Sequence, residues 1–201
     1  MTASEPHSVF AAVMAAGSAS RFGSSKQLAE IDGTPLVQRA LELAVLACGA
    51  NTILVVGHDW KAVIAACDPL PGFFLRNDDY ADGLGTSIAQ AVRSVQHVAR
   101  AIVVVLADQA LITAAHLQAL QTAWSGADDE IVATAFAGTT GAPVLFPRGC
   151  FGDLLTLGDD AGGRHLLADQ RFTVRNVTFE PAAIDIDTPE DLRQIARSVR
   201  N

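Results

Sequence analysis

Two cations in the sequence stand where they could bind a phosphate group. Arg21 and Lys26 lie in a segment rich in small residues, 13–27, which follows an apolar run at 9–16. Small residues let backbone N–H groups approach an anion, and the two cations add positive charge. The segment has neither the Walker spacing nor Gly-x-Gly-x-x-Gly, and a flexible surface loop is the alternative. Its place after a strand favours a phosphate-binding loop.

Two aspartates, Asp108 and Asp187, could hold a divalent cation opposite that loop. Asp108 ends an apolar run at 101–107, and strands of an open α/β sheet end at the ligand crevice. A carboxylate there would repel phosphate unless a metal ion lay between them, and Mg²⁺ prefers one or two carboxylates plus phosphate oxygens. Alternation predicts Asp185 and Asp187 on one side of a short strand. A turn cap at Asp108 and a helix-start residue at Asp187 are the alternatives.

Strand-like and helical runs alternate along the chain. The predicted strands are 9–16, 51–57, 73–76, 101–107 and 130–136, and the predicted helices are 35–48, 60–67, 86–98, 113–124 and 189–199. Thr34 is expected to cap the first of these helices and Thr188 the last. Continuous β-branched runs with helical crossovers are typical of a mainly parallel sheet with helices on both faces. We therefore predict a single-domain, Rossmann-like α/β fold.

Two further segments carry groups that could contact a ligand. Gly83, Thr86 and Ser87 stand where a polar turn opens a helix, and free N–H groups and hydroxyls occur there. From the motif alone, ordinary helix capping is the favoured explanation of the two hydroxyls. In the second half of the chain, Arg164 could bind a phosphate through two parallel hydrogen bonds, or be solvated or paired with a carboxylate.

Composition limits the class of protein. The 201 residues, half of them apolar, suit one domain spanning 1–201, with 1–8 as a flexible N-terminus. A formal net charge of −8 argues against non-specific binding to nucleic acid or an anionic membrane. No apolar run could span a bilayer, and residues 1–8 lack the basic start of a secretory signal. Three widely spaced cysteines are typical of reduced thiols, so a cytoplasmic protein is expected.

Several motifs resemble one enzyme family. Ala-Ala-Gly-x-x-x-Arg-Phe-Gly-x-x-Lys, at 15–26, resembles the signature loop of nucleotidyltransferases of the glycosyltransferase-A type. More narrowly, it resembles the molybdenum-cofactor cytidylyltransferases and their MobA-like relatives. Ala-Asp-Gln-x-Leu-Ile, at 107–112, is similar to that family's metal-binding Asp-Gln-Pro segment, with Ala110 replacing the proline. Asp-Ile-Asp-Thr-Pro-Glu-Asp-Leu, at 185–192, is similar to the family ending that completes the Mg²⁺ site.

The second half of the chain extends the resemblance. Gly-Ala-Pro-Val-Leu-Phe, at 141–146, and the segment 159–167 resemble the acceptor-side motifs of the same family. Asp159 and Gly163 depart from those motifs, where the family has glycine and alanine. An extra negative charge at Asp159 could alter how an anionic pterin phosphate is received. The departures therefore bear on the acceptor more than on the reaction.

The resemblance implies a nucleotide-diphospho-sugar transferase type of fold and a role for particular residues. It implies Mg²⁺ held by Asp108 and Asp187. The implied catalytic residues are Lys26, Arg21 and Asp108. The residues implied to bind the nucleotide are Ala15, Ala16, Gly17, Ser18, Arg21, Lys26, Gly83 and Ser87. The residues implied to bind the acceptor are Thr86, Ser87, Gly141, Pro143, Gly162 and Arg164.

The implied reaction is transfer of CMP from CTP to the phosphate of the molybdenum cofactor, molybdopterin, with release of pyrophosphate. The Ala-Ala-Gly at 15–17 resembles the branch that uses CTP, and a molybdenum hydroxylase is a candidate partner. One alternative is nucleotidyl transfer to a sugar phosphate or methylerythritol phosphate. The other is a non-catalytic carrier or chaperone of the cofactor. Turnover would distinguish an enzyme from a carrier.

Overall fold

A seven-stranded sheet forms the centre of the protein. The computed structural model describes residues 8–17, 22, 25–67, 72–158 and 162–198, without the side chains of 196–198. The sheet contains β1 (Val9–Ala15), β4 (Thr52–Val56), β5 (Phe73–Arg76), β6 (Ala101–Leu106), β7 (Glu130–Phe136), β8 (Thr139–Pro147) and β9 (Thr173–Thr178). A separate ribbon contains β2 (Glu30–Ile31) and β3 (Thr34–Pro35). The helices are α1 (Leu36–Cys48), α2 (Trp60–Ala65), α3 (Leu84–Val95), α4 (Ala114–Ala123), α5 (Phe151–Leu154) and α6 (Pro189–Ser198).

The strand order is β5-β4-β1-β6-β8-β7-β9, and only β8 runs antiparallel to its neighbours. The prediction of a mainly parallel sheet is confirmed. β8 reverses because Ala137 and Gly138, the two residues between the paired Phe136 and Thr139, have φ values of 46° and 73°. Positive φ at both central residues gives the tight turn that joins antiparallel neighbours.

Helices cover both faces of the sheet, as predicted. Alternate residues of β1 point to opposite faces: Val13 belongs to the apolar cluster that includes residues of α1 and α4, and Met14 to the cluster that includes residues of α3 and α5. A third, smaller cluster joins Ile31, Leu36, Ile186 and Ile195, and thereby packs α6 beside the β2–β3 ribbon. No helix among the described residues is long and apolar enough to cross a membrane.

The chain leaves β1 in one direction and returns on its other side. α1 leads from β1 to β4, whereas α3 leads to β6, which pairs with the opposite edge of β1. Such a reversal opens a crevice at the carboxyl ends of the strands. Met14 pairs with Leu106, and the Ala107 N–H donates to the Met14 carbonyl at 3.2 Å. Residues that follow β1 and β6 therefore emerge side by side.

Two local expectations are wrong. Thr34 does not cap α1, because Thr34 and Pro35 pair with the 30–31 strand and the helix begins at Leu36. Residues 184–187 do not form a strand. They run as irregular backbone, which the Ile186 N–H fastens to the Asp108 carbonyl at 3.1 Å. The same contact brings the C-terminal segment to the end of β6.

Candidate active site

Lys26 links the two predicted metal ligands. Its Nζ donates to Asp108 Oδ2 at 2.7 Å and to Asp187 Oδ1 at 3.0 Å. Lys26 lies in the 3₁₀ turn Lys26–Leu28, Asp108 follows β6, and Asp187 precedes α6. Three segments that are distant in sequence thus meet in one charge cluster at the sheet's carboxyl edge.

The position of Asp187 is fixed by the start of α6. Asp191 Oδ2 accepts hydrogen bonds from the backbone N–H of Thr188 at 2.8 Å and of Asp187 at 3.1 Å. Thr188 Oγ1 in turn accepts from the Asp191 N–H at 3.3 Å. This reciprocal arrangement is a capping box, and it confirms Thr188 as the helix cap. The cap orients the backbone from which the Asp187 carboxylate projects.

Gln27 anchors the end of β1. Its Nε2 donates to the Ala15 carbonyl at 3.3 Å and to the Gly17 carbonyl at 2.5 Å. Gln27 is buried, so these two bonds hold the backbone from within the protein. The residue after the catalytic lysine candidate therefore shapes the start of the predicted phosphate loop.

The turn after β4 holds both ends of that loop. The His58 N–H donates to the Ala16 carbonyl at 3.1 Å, and Ser25 Oγ donates to Asp59 Oδ2. Asp59 also lies 3.2 Å from His58 Nδ1 and has a left-handed backbone, with φ 51° and ψ 28°. A side chain at Gly57 would meet the Ala16 carbonyl oxygen at 2.8 Å, so this turn packs directly against β1.

Asn77 organises the opposite wall. Its Nδ2 donates at 2.9 Å to both Thr86 Oγ1 and Ser87 Oγ, and its Oδ1 accepts from the Asp79 N–H at 3.0 Å. Thr86 Oγ1 donates within the same turn, to the Gly83 carbonyl at 2.8 Å. Ser87 Oγ accepts from Asn77, which leaves its hydrogen available to a ligand. The buried amide thus sets the hydroxyl directions where α3 begins.

These groups surround a cleft of about 440 Å³. It is lined by Met14, Ala16, Gly17, Lys26, Gln27, Leu36, Tyr80, Ala81, Gly83, Leu84, Ser87, Leu106, Ala107 and Asp108. Apolar walls with a few polar groups at defined points are typical of small-molecule sites. We refer to it as the first cleft.

A second cleft, of about 540 Å³, shares the Leu84 and Leu106 side chains with the first. Its other lining residues are Val104, Gln109, Phe136, Gly141, Ala142, Val144, Phe146, Gly162, Arg164, His165, Leu167 and Asp185. Gln109 Nε2 donates to the carbonyls of Ala142 and Ala182 at 3.0 and 3.2 Å, which ties β8 to the C-terminal segment. The two clefts meet beside the Lys26 charge cluster.

The charge cluster perturbs two ionisable groups. Asp185 is exposed as a residue, yet partial burial of its carboxyl and the negative charges of Asp108 and Asp187 raise its pKa to about 6. Burial alone would lower the pKa of Lys26, but attraction and hydrogen bonds to Asp108 and Asp187 hold it above the usual value. Lys26 therefore stays charged at neutral pH, whereas Asp185 titrates close to it.

The donor set fits a hard divalent cation. No group of three or more histidine, cysteine, aspartate or glutamate side chains suited to a metal occurs among the described residues. Asp108 and Asp187 supply two carboxylates, and Asp108 Oδ1 is a buried oxygen that has no hydrogen-bond partner among the described residues. Mg²⁺ and Mn²⁺ accept such oxygen ligands and complete their shells with phosphate oxygens and water.

A family model, the MobA-like NTP transferase domain, matches residues 11–175. This chain belongs to the MobA-like NTP transferase family. It is therefore a nucleotidyltransferase. A comparison with curated protein sequences gives no significant match.

Solved structures agree with this membership of the MobA-like family. Rv0371c from Mycobacterium tuberculosis H37Rv is 28% identical, with a TM-score of 0.84 over 96% of this chain and 100% of that chain. The same protein in complex with manganese gives a TM-score of 0.79, at 28% identity over 94% and 98% of the two chains.

Two more distant structures share the fold. Molybdopterin-guanine dinucleotide biosynthesis protein A from Archaeoglobus fulgidus is 17% identical, with a TM-score of 0.69 over 94% of this chain and 98% of that chain. The 4-diphosphocytidyl-2C-methyl-D-erythritolsynthase from Anaerococcus prevotii is 13% identical, with a TM-score of 0.74 over 96% of each chain. At these identities the likeness extends to the fold alone.

The structure brings together many of the residues that the sequence indicated. Ala16, Gly17, Lys26, Gly83, Ser87 and Asp108 line the first cleft, and Gly141, Gly162 and Arg164 line the second. Asp187 contacts Lys26, and Ala15 is buried at the end of β1. Thr86 and Pro143 line neither cleft; Thr86 bonds within the turn before α3, and the Pro143 carbonyl accepts from Thr134. Ser18, Arg21 and Asp159 lie outside the described residues.

The sequence assigns no role to four supporting residues, although two of them stand in quoted motifs: Gln27, Asp59, Asn77 and Gln109. Each of them follows or lies near a strand end and has a side-chain amide or carboxylate. That pattern is common in turns, so it does not identify them. Their roles depend on which backbone groups the fold places within reach.

Proposed function

We propose that this MobA-like nucleotidyltransferase transfers CMP from CTP to the phosphate of molybdopterin and releases pyrophosphate. The observation that supports it most directly is the Lys26 bridge between Asp108 and Asp187, at the junction of two clefts. A phosphate acceptor is already ionised at neutral pH. The work left to the protein is therefore positioning and charge neutralisation.

The first cleft is the proposed nucleotide site. Backbone N–H groups near Gly17 and at the start of α3 can face phosphate or base, and Lys26 supplies positive charge. Ser87 Oγ accepts one hydrogen bond from Asn77, and its hydroxyl hydrogen is proposed to bond an oxygen of the nucleotide. CTP as the preferred donor is supported by the Ala-Ala-Gly at 15–17. Arg21 is proposed as a second phosphate ligand from the sequence.

A divalent cation, Mg²⁺ in the cell, is proposed to bind Asp108 and Asp187. When bound, it supplies positive charge to phosphate oxygens whose negative charge grows during transfer. Asp108 Oδ1 supports this assignment, because a buried carboxylate oxygen without a partner is costly unless a cation or donor satisfies it. The crystal structure of Rv0371c with manganese shows that a relative of 28% identity has been obtained with a divalent metal.

The second cleft is the proposed acceptor site. Phe136 and Phe146 give it an apolar wall, and Arg164 gives it a cation that can bind phosphate through two parallel hydrogen bonds. An apolar wall beside an arginine suits a flat ring system that carries a phosphate. Gly141, Pro143 and Gly162 belong to the backbone that shapes this side.

The cytoplasm is the proposed compartment, because three widely spaced cysteines are typical of reduced thiols. A molybdenum hydroxylase is the proposed recipient of the product.

The deciding experiment measures pyrophosphate release from CTP, GTP, ATP and UTP with Mg²⁺, with and without freshly prepared molybdenum cofactor. Of the four nucleotides, we expect only CTP to release pyrophosphate, and only when the cofactor is present. Release with CTP and a sugar or methylerythritol phosphate, but not with the cofactor, would contradict the acceptor assignment. Tight binding of the product dinucleotide without any turnover would instead indicate a carrier.

A further inference from the structure

The Lys26 ammonium lies between the two carboxylates that are the proposed ligands of the divalent cation. It lies 2.7 Å from Asp108 and 3.0 Å from Asp187, and it is the positive charge that both carboxylates contact. The Lys26 side chain is only 16% exposed, against 58% for that of Asp187. The ammonium is therefore held inside the cluster rather than extended into solvent.

The Lys26 ammonium and a divalent cation would compete for the carboxylates of Asp108 and Asp187. In the geometry observed, two of the donor positions of Nζ are directed at carboxylate oxygens. A divalent ion on these two carboxylates, whether through Asp108 Oδ1 or through the oxygens that Lys26 contacts, would lie within a few ångströms of Nζ, and like charges at that distance repel strongly. The phosphates of a nucleotide in the first cleft offer Lys26 an alternative partner on its other side.

We propose that Lys26 competes with the divalent cation for Asp108 and Asp187, and that nucleotide phosphates relieve this competition by drawing Lys26 away. Metal and nucleotide then favour each other's binding, because each removes an obstacle to the other. Without nucleotide, Lys26 offsets one of the two negative charges, and metal binds weakly. This inference rests on the proposed metal ligands, so its test must separate failure of the metal-ligand assignment from failure of the competition.

The sequence offers a matched control. Lys61 is the only other lysine, and it is exposed, with its Nζ 5.5 Å above the Trp60 ring. Lys61→Met removes the same charge as Lys26→Met, but from outside the charge cluster. A difference between these two variants therefore reports position and not net charge.

The first measurement is a titration of the protein with Mn²⁺ in the absence of nucleotide. The electron paramagnetic resonance signal of free Mn²⁺ reports how much of the ion is bound. We expect Lys26→Met to bind Mn²⁺ at least about tenfold more tightly than the unmodified protein, because a neighbouring charge is removed. Lys61→Met should match the unmodified protein. Asp108→Asn should lose the tight site in every background.

The second measurement uses the unmodified protein and needs no variant to fold. An amine-specific acylating reagent is applied with and without Mn²⁺, and labelling of the two lysines is compared by mass spectrometry. Mn²⁺ should raise the labelling rate of Lys26 several-fold, because the displaced amine becomes accessible. Lys61 should label at the same rate in both conditions.

The outcomes separate the two assignments. Tight Mn²⁺ binding that survives Asp108→Asn would overturn the proposed metal ligands and, with them, the competition. Binding that depends on Asp108 but is unchanged or weaker in Lys26→Met would retain the metal site and overturn the competition. A labelling rate of Lys26 that is unchanged by saturating Mn²⁺ would also overturn the competition.

Discussion

The two clefts share two leucine side chains but differ in how their polar groups are held. In the first cleft, Lys26 is fixed by two carboxylates and Ser87 by Asn77. In the second, Arg164 lines the cleft, and none of the hydrogen bonds or ion pairs among the described residues involves its side chain. It follows Gly162 and Gly163, whose φ values are 57° and 78°.

This difference matches the different tasks proposed for the two clefts, stabilising charge during the reaction in the first and recognising the acceptor in the second. Groups that neutralise developing charge act best when they are already oriented, because reorganisation then costs nothing during transfer. A side chain without fixed partners can adjust to the acceptor that arrives, at an entropic cost to affinity. The first cleft therefore holds its polar groups in defined positions before ligands bind, and the proposed exchange of Lys26 partners would precede transfer. Among the described residues, the second cleft holds its arginine by no such bond.

The largest effect is expected from Asp108→Asn. Loss of one anionic ligand from the metal site should reduce pyrophosphate release by at least about a thousandfold. Asp128→Asn is the control, because Asp128 is an exposed aspartate that pairs with Arg100 at 3.5 Å. Activity above one tenth of the unmodified level would remove Asp108 from the reaction centre.

Arg164→Met tests the other side of the comparison. We expect the KM for the acceptor to rise about tenfold, because a charged hydrogen bond to phosphate is lost, while the KM for the nucleotide stays unchanged. Arg148→Met, at an exposed position after β8, serves as the control. A change confined to the nucleotide KM would show that Arg164 belongs to the first cleft and would break the comparison.

Asp59→Gly tests whether the first cleft depends on its outer support. Glycine accepts the left-handed backbone at this position without strain, but it cannot accept the Ser25 hydrogen bond. We expect kcat/KM for the nucleotide to fall about fivefold while the melting temperature is unchanged or higher. Asp59→Asn keeps an acceptor and should retain most activity. Equal losses in both variants would argue against the hydrogen bond.

The smallest effect concerns stability beneath the second cleft. His116 is buried, its Nε2 lies 2.8 Å from Thr134 Oγ1, and Thr134 donates to the Pro143 carbonyl at 2.7 Å. Burial lowers the pKa of His116, so the folded state favours the neutral ring. This stabilisation is present above the unfolded pKa near 6.5 and is lost as pH falls through the lowered folded value.

His116→Gln keeps an amide that can reach Thr134 and does not titrate. Between pH 7.5 and pH 5, the unmodified protein should lose more thermal stability than this variant, by on the order of 2 °C. Thermal denaturation followed by circular dichroism at both pH values measures the difference. Parallel losses in the two proteins would mean that another group controls the acid sensitivity.

The sequence predicts the parallel half of the fold because its strands are continuous β-branched runs. The strand at 130–136 was predicted with its observed ends, and β1 differs by one residue. β8 and β9 were not predicted. β8 depends on the turn at Ala137 and Gly138. Alanine is not typical of positive φ, so the sequence does not indicate this turn. β9 mixes exposed polar residues with valines.

The candidate site was predictable in its parts but not in its connections. Strand ends indicated Asp108 and the 13–27 loop, since a parallel sheet gathers such residues at one edge. The sequence indicates Asp187 as the second carboxylate of the metal site, but it does not indicate that Asp187 approaches Lys26, 161 positions away, closely enough to form the bridge. The approach depends on a single backbone bond from Ile186 and on the packing of α6, neither of which has a local sequence pattern.

The Lys26–Asp187 contact also bears on how the protein is made. Chains emerge from the ribosome from the N-terminus onward, so β1, β4 and β6 can pair before residue 187 is available. At that stage Lys26 can reach Asp108 but not its second carboxylate. The charge cluster is completed only by one of the last segments to be synthesised. With Asp187 as the proposed second metal ligand, a nascent chain lacks the complete metal site until its C-terminal segment has been made.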